Sequence, residues 1–129
     1  IAPGMLAIAQ GKTGDPRVSW LEASGESLPL PPQAFDRVVC FSVWPHLRDP
    51  VAALQEFKRV LRTGGTLHIL HLISRAEVNR IHGAAADASV RGDLLPPVED
   101  VAALVAAAGF DLLETADTDR LYLLSARKI

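Results

Sequence analysis

Asp49-Pro50-Val51-Ala52-Ala53-Leu54-Gln55-Glu56-Phe57-Lys58-Arg59-Val60-Leu61-Arg62-Thr63-Gly64-Gly65-Thr66-Leu67-His68-Ile69-Leu70-His71-Leu72-Ile73 is the stretch that decides the fold. It reads as a capped helix leading through a glycine pair into a buried strand. Asp49 suits an N-cap, because its carboxylate can accept a free backbone N–H, and Pro50 suits the first helical position. Val51, Leu54, Phe57 or Lys58, and Leu61 recur at helical spacing, with Glu56, Lys58, Arg59 and Arg62 largely elsewhere on the surface. Gly64 or Gly65 stops the helix. Glu56 and Arg59, one turn apart, predict an exposed ion pair of small energetic effect. Thr66 to Ile73 then predicts a buried strand.

Towards the N-terminus, Asp36 to Phe41 centres on Val38-Val39-Cys40 and predicts a second buried parallel strand. Ser24 to Gln33 holds Gly25, Pro29, Pro31 and Pro32 and is a loop. Arg17 to Glu22 alternates enough for a strand, and Pro3 to Gln10 predicts a short helix ended by Gly11. Towards the C-terminus, Ser74-Arg75-Ala76-Glu77 is a capping box opening a helix that runs to about Gly83. Ala84 to Leu95 is small, polar and glycine-interrupted, a loop or partly helical. After Pro96-Pro97 a helix puts Val101, Leu104, Val105 and Ala108 on one face and stops at Gly109. Phe110 to Thr115 and Arg120 to Ala126 form a hairpin. Alternating helices and strands predict an α/β fold with a mostly parallel sheet.

The chain has 129 residues, 49% hydrophobic and 22% charged, which suits one ordinary globular domain. A formal net charge of -2 with mixed signs gives nucleic-acid binding no electrostatic support. No apolar run is long enough to span a bilayer, so no membrane partner is expected. Cys40 is the only cysteine, which excludes an internal disulfide and makes a cytoplasmic setting the default. The chain opens at Ile1 and reads as though it starts in mid-fold.

Four blocks in order sharpen the reading. They are Gly25 to Pro31 (Gly-Glu-Ser-Leu-Pro-Leu-Pro), Phe35-Asp36, His46 to Pro50 (His-Leu-Arg-Asp-Pro), and Glu56 to Gly65. With Ala108-Gly109-Phe110, this succession resembles class I S-adenosylmethionine (SAM)-dependent methyltransferases, most closely those like the ubiquinone and menaquinone biosynthesis C-methyltransferases. The resemblance covers nearly the whole chain. It implies a Rossmann-like three-layer sandwich whose mostly parallel sheet ends in an antiparallel hairpin, with SAM across the carboxyl ends of the strands. In such proteins a glycine-rich turn after the first strand and an acid ending the second grip SAM. Neither is in the sequence. Ile1 to Leu6 resembles the residues just after that acid. Residues 1–129 therefore read as the C-terminal portion of one methyltransferase domain, truncated, with the N-terminal strands missing.

The resemblance puts Ser24 where an Asp usually accepts a hydrogen bond from the adenine amino group, and puts the Gly25 N–H near an adenine ring nitrogen. A backbone carbonyl at Phe41 falls near the methionine ammonium group. Cys40 reads as core, with no basic or metal-binding neighbour to make it a thiolate. His46, His71 and His82 are candidates to line the acceptor site, with His71 or His82 a general base if a proton must be removed. His68 and His71 face opposite sides of a strand, which argues against a shared metal site. Trp20 and Trp44 read as packing residues. Ser74 to Leu95 reads as a mobile cover over the substrate side.

The leading reading is methyl transfer from SAM to a small-molecule acceptor, with no catalytic residue singled out. The rival is a non-catalytic methyltransferase-like remnant used for binding or assembly. The 129 residues alone are expected not to hold SAM. The sheet edge beside Arg17 is expected to be covered, either by a homodimer or by a further segment of the same polypeptide.

Overall fold

A computed structural model describes residues 3–129. The Ile1-Ala2 part of the block placed after the ribose acid lies outside them. The chain runs α1 (Pro3–Lys12), β1 (Phe35–Phe41), a 3-10 turn (Trp44–His46), α2 (Pro50–Val60), β2 (Leu61–His71) and α3 (Arg75–Gly83). It continues with α4 (Ala88–Arg91), α5 (Val98–Ala107), β3 (Phe110–Asp117) and β4 (Tyr122–Lys128). The four strands form one sheet in the order β1-β2-β4-β3. β1 and β2 are parallel, and β4 is antiparallel to both of its neighbours. Three strands thus point one way, and the hairpin supplies the one reversed strand, as expected.

The elements form for the reasons the sequence supplies. Asp49 caps α2, its carboxylate accepting the Ala52 N–H at 3.0 Å. The helix ends at Val60, earlier than the glycines suggest, because Leu61 is already extended and pairs with Phe35. Arg37 pairs next with Thr66, so residues 62–65 bulge out of the ladder. The bulge explains the glycine pair. Gly64 takes a φ of +79°, and a Cβ on Gly65 would stand 2.9 Å from the Arg62 carbonyl oxygen. Gly109, at φ +90°, ends the turn after α5, where the Lys58 ammonium donates to the Ala108 carbonyl at 3.0 Å.

The core lies on one face of the sheet. Cys40, Leu67, Ile69, Phe110, Tyr122, Leu124 and Ala126 meet Ala53, Leu54 and Phe57 of α2, Val78 of α3, and Val98, Val101, Ala102 and Val105 of α5. Alternate positions on the other face stay open, including half-exposed Val39 and Phe41. Tyr122 is wholly buried, and its hydroxyl donates to the Pro96 carbonyl at 2.9 Å. Its one polar atom is thereby satisfied.

Several expectations need correction. Arg17 to Glu22 is not a strand. Val18, Trp20 and Leu21 are exposed, and no described strand lies beside the segment to complete a ladder, without which extended backbone gains nothing. Trp44 packs in the core but Trp20 does not. Val51 and Leu104 face outward, and Ala53, Val98 and Ala102 take the buried positions. The capping box is half formed: Ser74 accepts the Glu77 N–H at 3.1 Å, while the Glu77 carboxylate turns to Arg80.

Candidate functional site

The parallel strands β1 and β2 deliver their carboxyl ends, Phe41 and His71, to the same edge of the sheet. Ser42, the first residue past β1, donates its N–H to the Leu70 carbonyl at 3.0 Å with a φ of +54°. That conformation is uncommon for a residue with a side chain and marks a position the surroundings force.

One side of this edge is a cleft of about 520 Å³ lined by Ala23 to Glu26, Val43 and His46 to Arg48. Its shape comes from charged groups and the backbone N–H groups they hold. The Glu26 carboxylate accepts the backbone N–H groups of Arg48 at 2.6 Å and Asp49 at 2.9 Å, joining the two walls. These bonds, the Asp49 N–H first, hold its carboxyl below the usual carboxylate range. Ser24 accepts the Glu26 N–H at 3.2 Å and donates its hydroxyl to the same carboxylate at 3.3 Å. A hydroxyl oxygen accepts twice, so one acceptor position on Ser24 stays free. A Cβ on Gly25 would lie 3.3 Å from the Leu47 side chain, so the loop sits tightly on its neighbour.

Glu56 and Arg59 depart most from expectation. They are not a bare surface pair. The Glu56 carboxylate accepts the Leu28 N–H at 2.7 Å, and Arg59 donates to the carbonyls of Leu28 and Leu30 at 2.8 Å each. The two also bond each other, at 2.8 and 2.9 Å. The Arg59 guanidinium, then the Leu28 N–H, draw the Glu56 carboxyl down to about 2. The proline-rich loop is thus fastened along α2 by the helix's own polar side chains.

The other side of the edge is a hollow of about 170 Å³ lined by Ser42, His71, Ile73, Val78, Ile81 and His82. His71 is buried, its ring edge-on to Tyr122 at 5.9 Å, and its Nε2 has no hydrogen-bond partner. Burial first, then the nearby His82 and His46, lower its pKa and favour the neutral ring. His82 Nδ1 lies 2.7 Å from the Asp93 carbonyl oxygen. A carbonyl only accepts, so Nδ1 carries the proton, and Nε2 of the neutral ring is left with its lone pair. His46 lies beside it, ring centroids 4.7 Å apart, with Nδ1 2.7 Å from the Asp93 carboxylate.

The fold therefore brings Ser24, Gly25 and His46 to one cleft, and His71 and His82 to the adjoining hollow, with the His46–His82 contact between them. Phe41 lines neither. Its side chain is half-exposed on the open sheet face. Cys40 is buried, and burial pushes its thiol up to about 12, so it carries no thiolate near neutral pH. His68 points away from His71 and bonds the Ser125 hydroxyl at 2.9 Å. Asp93, which organises two of the three histidines, carries no signal in the sequence. Glu26 stands inside a quoted block, but its bonds to Arg48 and Asp49 are set by folding.

A family model described as "Methyltransferase domain" matches residues 1–69, more than half of the chain. The chain belongs to the methyltransferase domain family. It is similar to the methyltransferase GfsG of Streptomyces halstedii, 32% identical over 106 residues, which span 78% of the chain and 37% of that protein. It is also similar to a demethylmenaquinone methyltransferase of Thermus thermophilus, 32% identical over 134 residues, 86% of the chain and 61% of the relative. The chain thus spans roughly two fifths to three fifths of these relatives. In three dimensions it resembles a SAM-dependent methyltransferase from Aquifex aeolicus, with a TM-score of 0.71, 17% identity, and coverage of 95% of the chain and 61% of that structure. It also resembles the [4+2]-cyclase SpnF, with a TM-score of 0.69, 21% identity, and 95% and 61% coverage. SAM is the cofactor of the family. No helix among the described residues is long and apolar enough to cross a membrane, and none of their His, Cys, Asp and Glu side chains cluster as a metal site.

Proposed function

We propose that the protein carrying this chain transfers a methyl group from SAM to a small-molecule acceptor. The observation that carries the reading is the paired cleft and hollow at the carboxyl ends of two parallel strands, in a methyltransferase-family chain. Ligands of open α/β sheets collect at that edge.

The fit of SAM is partial. The free acceptor position on Ser24 and the Gly25 backbone suit the polar edge of an adenine ring, with the Glu26 bonds keeping the loop in place before a ligand arrives. Phe41 is the candidate for a backbone carbonyl near the ammonium group. Among the described residues, no glycine-rich turn follows a strand onto the cleft, and no carboxylate stands ready for ribose hydroxyls. Ser24, Gly25 and Phe41 are therefore partial holders. When bound, SAM supplies a methyl carbon already made electrophilic by the sulfonium. The protein's task is to align the acceptor and exclude water. His46, His71 and His82 are the acceptor-side candidates, and α3 with the segment to Leu95 is the candidate cover over them.

The test has two steps. SAM binding is measured by calorimetry on the protein that carries this chain, then transfer of isotope-labelled methyl to a panel of oxygen, nitrogen, sulfur and carbon acceptors is followed by mass spectrometry. Tight SAM binding without transfer to any acceptor would favour the rival reading, a methyltransferase-like binding module.

A further inference from the structure

We propose that the hollow between the end of β2 and α3 takes an apolar acceptor ending in a hydroxyl, and that His82 Nε2 accepts the proton of that hydroxyl. This rests on the methyl-transfer reading and names its acceptor class.

Three observations converge on the hollow. The first is the buried, unpartnered Nε2 of His71 in its wall. A buried polar atom without a partner costs free energy; Nε2 is closed to water as the hollow stands, and a ligand that draws the ring a short way and supplies a partner recovers that cost. The second is His82, whose Nδ1 proton is committed to the Asp93 carbonyl, so that its remaining nitrogen can only accept while the ring is neutral. The third is the rest of the wall: Ile73, Val78 and Ile81 are apolar, and Ser42 adds a hydroxyl but no charge. An ammonium only donates and a carboxylate only accepts, and either would enter this largely apolar, uncharged wall as an uncompensated charge. A hydroxyl donates to His82 and still accepts from, or turns to suit, His71.

The chemistry needs this base. A neutral alcohol or phenol oxygen is a weak nucleophile until its proton leaves. A thiol, with a pKa of about 8.5, ionises with little help. As the acceptor oxygen bonds the methyl carbon, its O–H bond breaks and the proton passes to His82 Nε2. The electrons of the broken carbon–sulfur bond stay on sulfur, which becomes a neutral thioether. The products are a methyl ether and an imidazolium.

Two readouts decide the inference. Long-range proton–nitrogen NMR on the chain reports histidine tautomers, and phenol with toluene as its hydroxyl-free partner serves as probe. We expect His82 as the Nδ1–H tautomer, phenol perturbing both His82 and His71, and toluene binding at least about tenfold more weakly. His71→Phe should weaken phenol and leave toluene little changed. In the protein that carries this chain, His82→Ala should lower kcat for hydroxyl acceptors by roughly 10²–10⁴ with the SAM Kd held within about twofold. An Nε2–H tautomer at His82, equal binding of phenol and toluene, or full turnover by His82→Ala would overturn the proposal. Absence of SAM binding in the wild type would instead sink the methyl-transfer reading, leaving the NMR result to judge the hollow on its own.

Discussion

The loop of residues 24–33 and the segment of residues 74–95 flank the same sheet edge but are held by different forces. The first is fastened by charged side chains on backbone groups: Glu56 and Arg59 on Leu28 and Leu30, and Glu26 across to Arg48 and Asp49. The N–H groups of Gln33 and Ala34 add bonds to the last carbonyls of α2. The second is tied internally by neutral bonds, Asn79 to Leu95 twice and His82 to the Asp93 carbonyl, and to the rest of the fold by two side-chain pairs, Arg75 with Asp117 and Asp93 with His46, with Val78 and Leu95 as its buried anchors. Ile73, Ile81 and Leu94 remain exposed. Charge-assisted bonds are roughly twice as strong as neutral ones. The wall proposed for the constant ligand, SAM, is thus built stiffly. The wall proposed for the variable acceptor is fastened to the rest of the fold at fewer points.

That contrast can be broken at either wall. Arg59→Leu removes two bonds to loop carbonyls and the partner of Glu56. Hydrogen exchange in residues 24–33 should speed by roughly a hundredfold, with residues 84–95 unchanged. Asn79→Ala removes both bonds to Leu95, and exchange in residues 84–95 should rise by roughly tenfold while the first loop stays protected. Equal loosening of both segments by either substitution would show that they form one unit.

Acid sharpens the same comparison. The folded pKa of Glu56 is depressed to about 2 from an ordinary 4.5, so its contribution is complete above about 4.5 and lost as pH falls towards 2. Residues 24–33 should therefore lose exchange protection before residues 84–95 during an acid titration. Glu56→Gln should flatten that pH dependence. The smallest effect expected is none: SAM titrated into the 129-residue chain should give no measurable heat. A few neutral hydrogen bonds of about 0.5–1.5 kcal/mol each do not offset the roughly 4–15 kcal/mol cost of association. Micromolar binding would mean that the described residues hold far more of SAM than the adenine edge.

The solved structures of similar fold caution against reading chemistry from the fold. Structures of similar likeness to this chain include a SAM-dependent methyltransferase and a [4+2]-cyclase. The identity of the proposed acceptor must be sought in the residues at the edge, not in the sheet behind them. That is why the His71–His82 hollow, rather than the overall likeness, is the place to test.

Local patterns sufficed for much of the fold. Asp49 and Ser74 announced their helices because a cap needs only a side-chain oxygen a few residues from free N–H groups. The strands at Val38 and Leu67, the helix after Pro97 and the hairpin were legible because apolar runs and turn residues act over short distances. The quoted blocks carried the family. Other features were decided only when distant segments met. Arg17 to Glu22 has strand character but no described neighbour to bond. Glu56 and Arg59 look like a surface pair until the loop lies against them, 28 to 31 residues away in the chain for the Leu28 contacts. Asp93 joins His46 across 47 residues and His82 across 11, and no spacing rule couples such positions. The sequence by itself determined most of the helices and strands and which family the chain joins, since those follow from near-neighbour periodicity and short motifs. Only the tertiary structure decided which polar groups share a desolvated edge, because burial and hydrogen-bond partnership are properties of the packed chain.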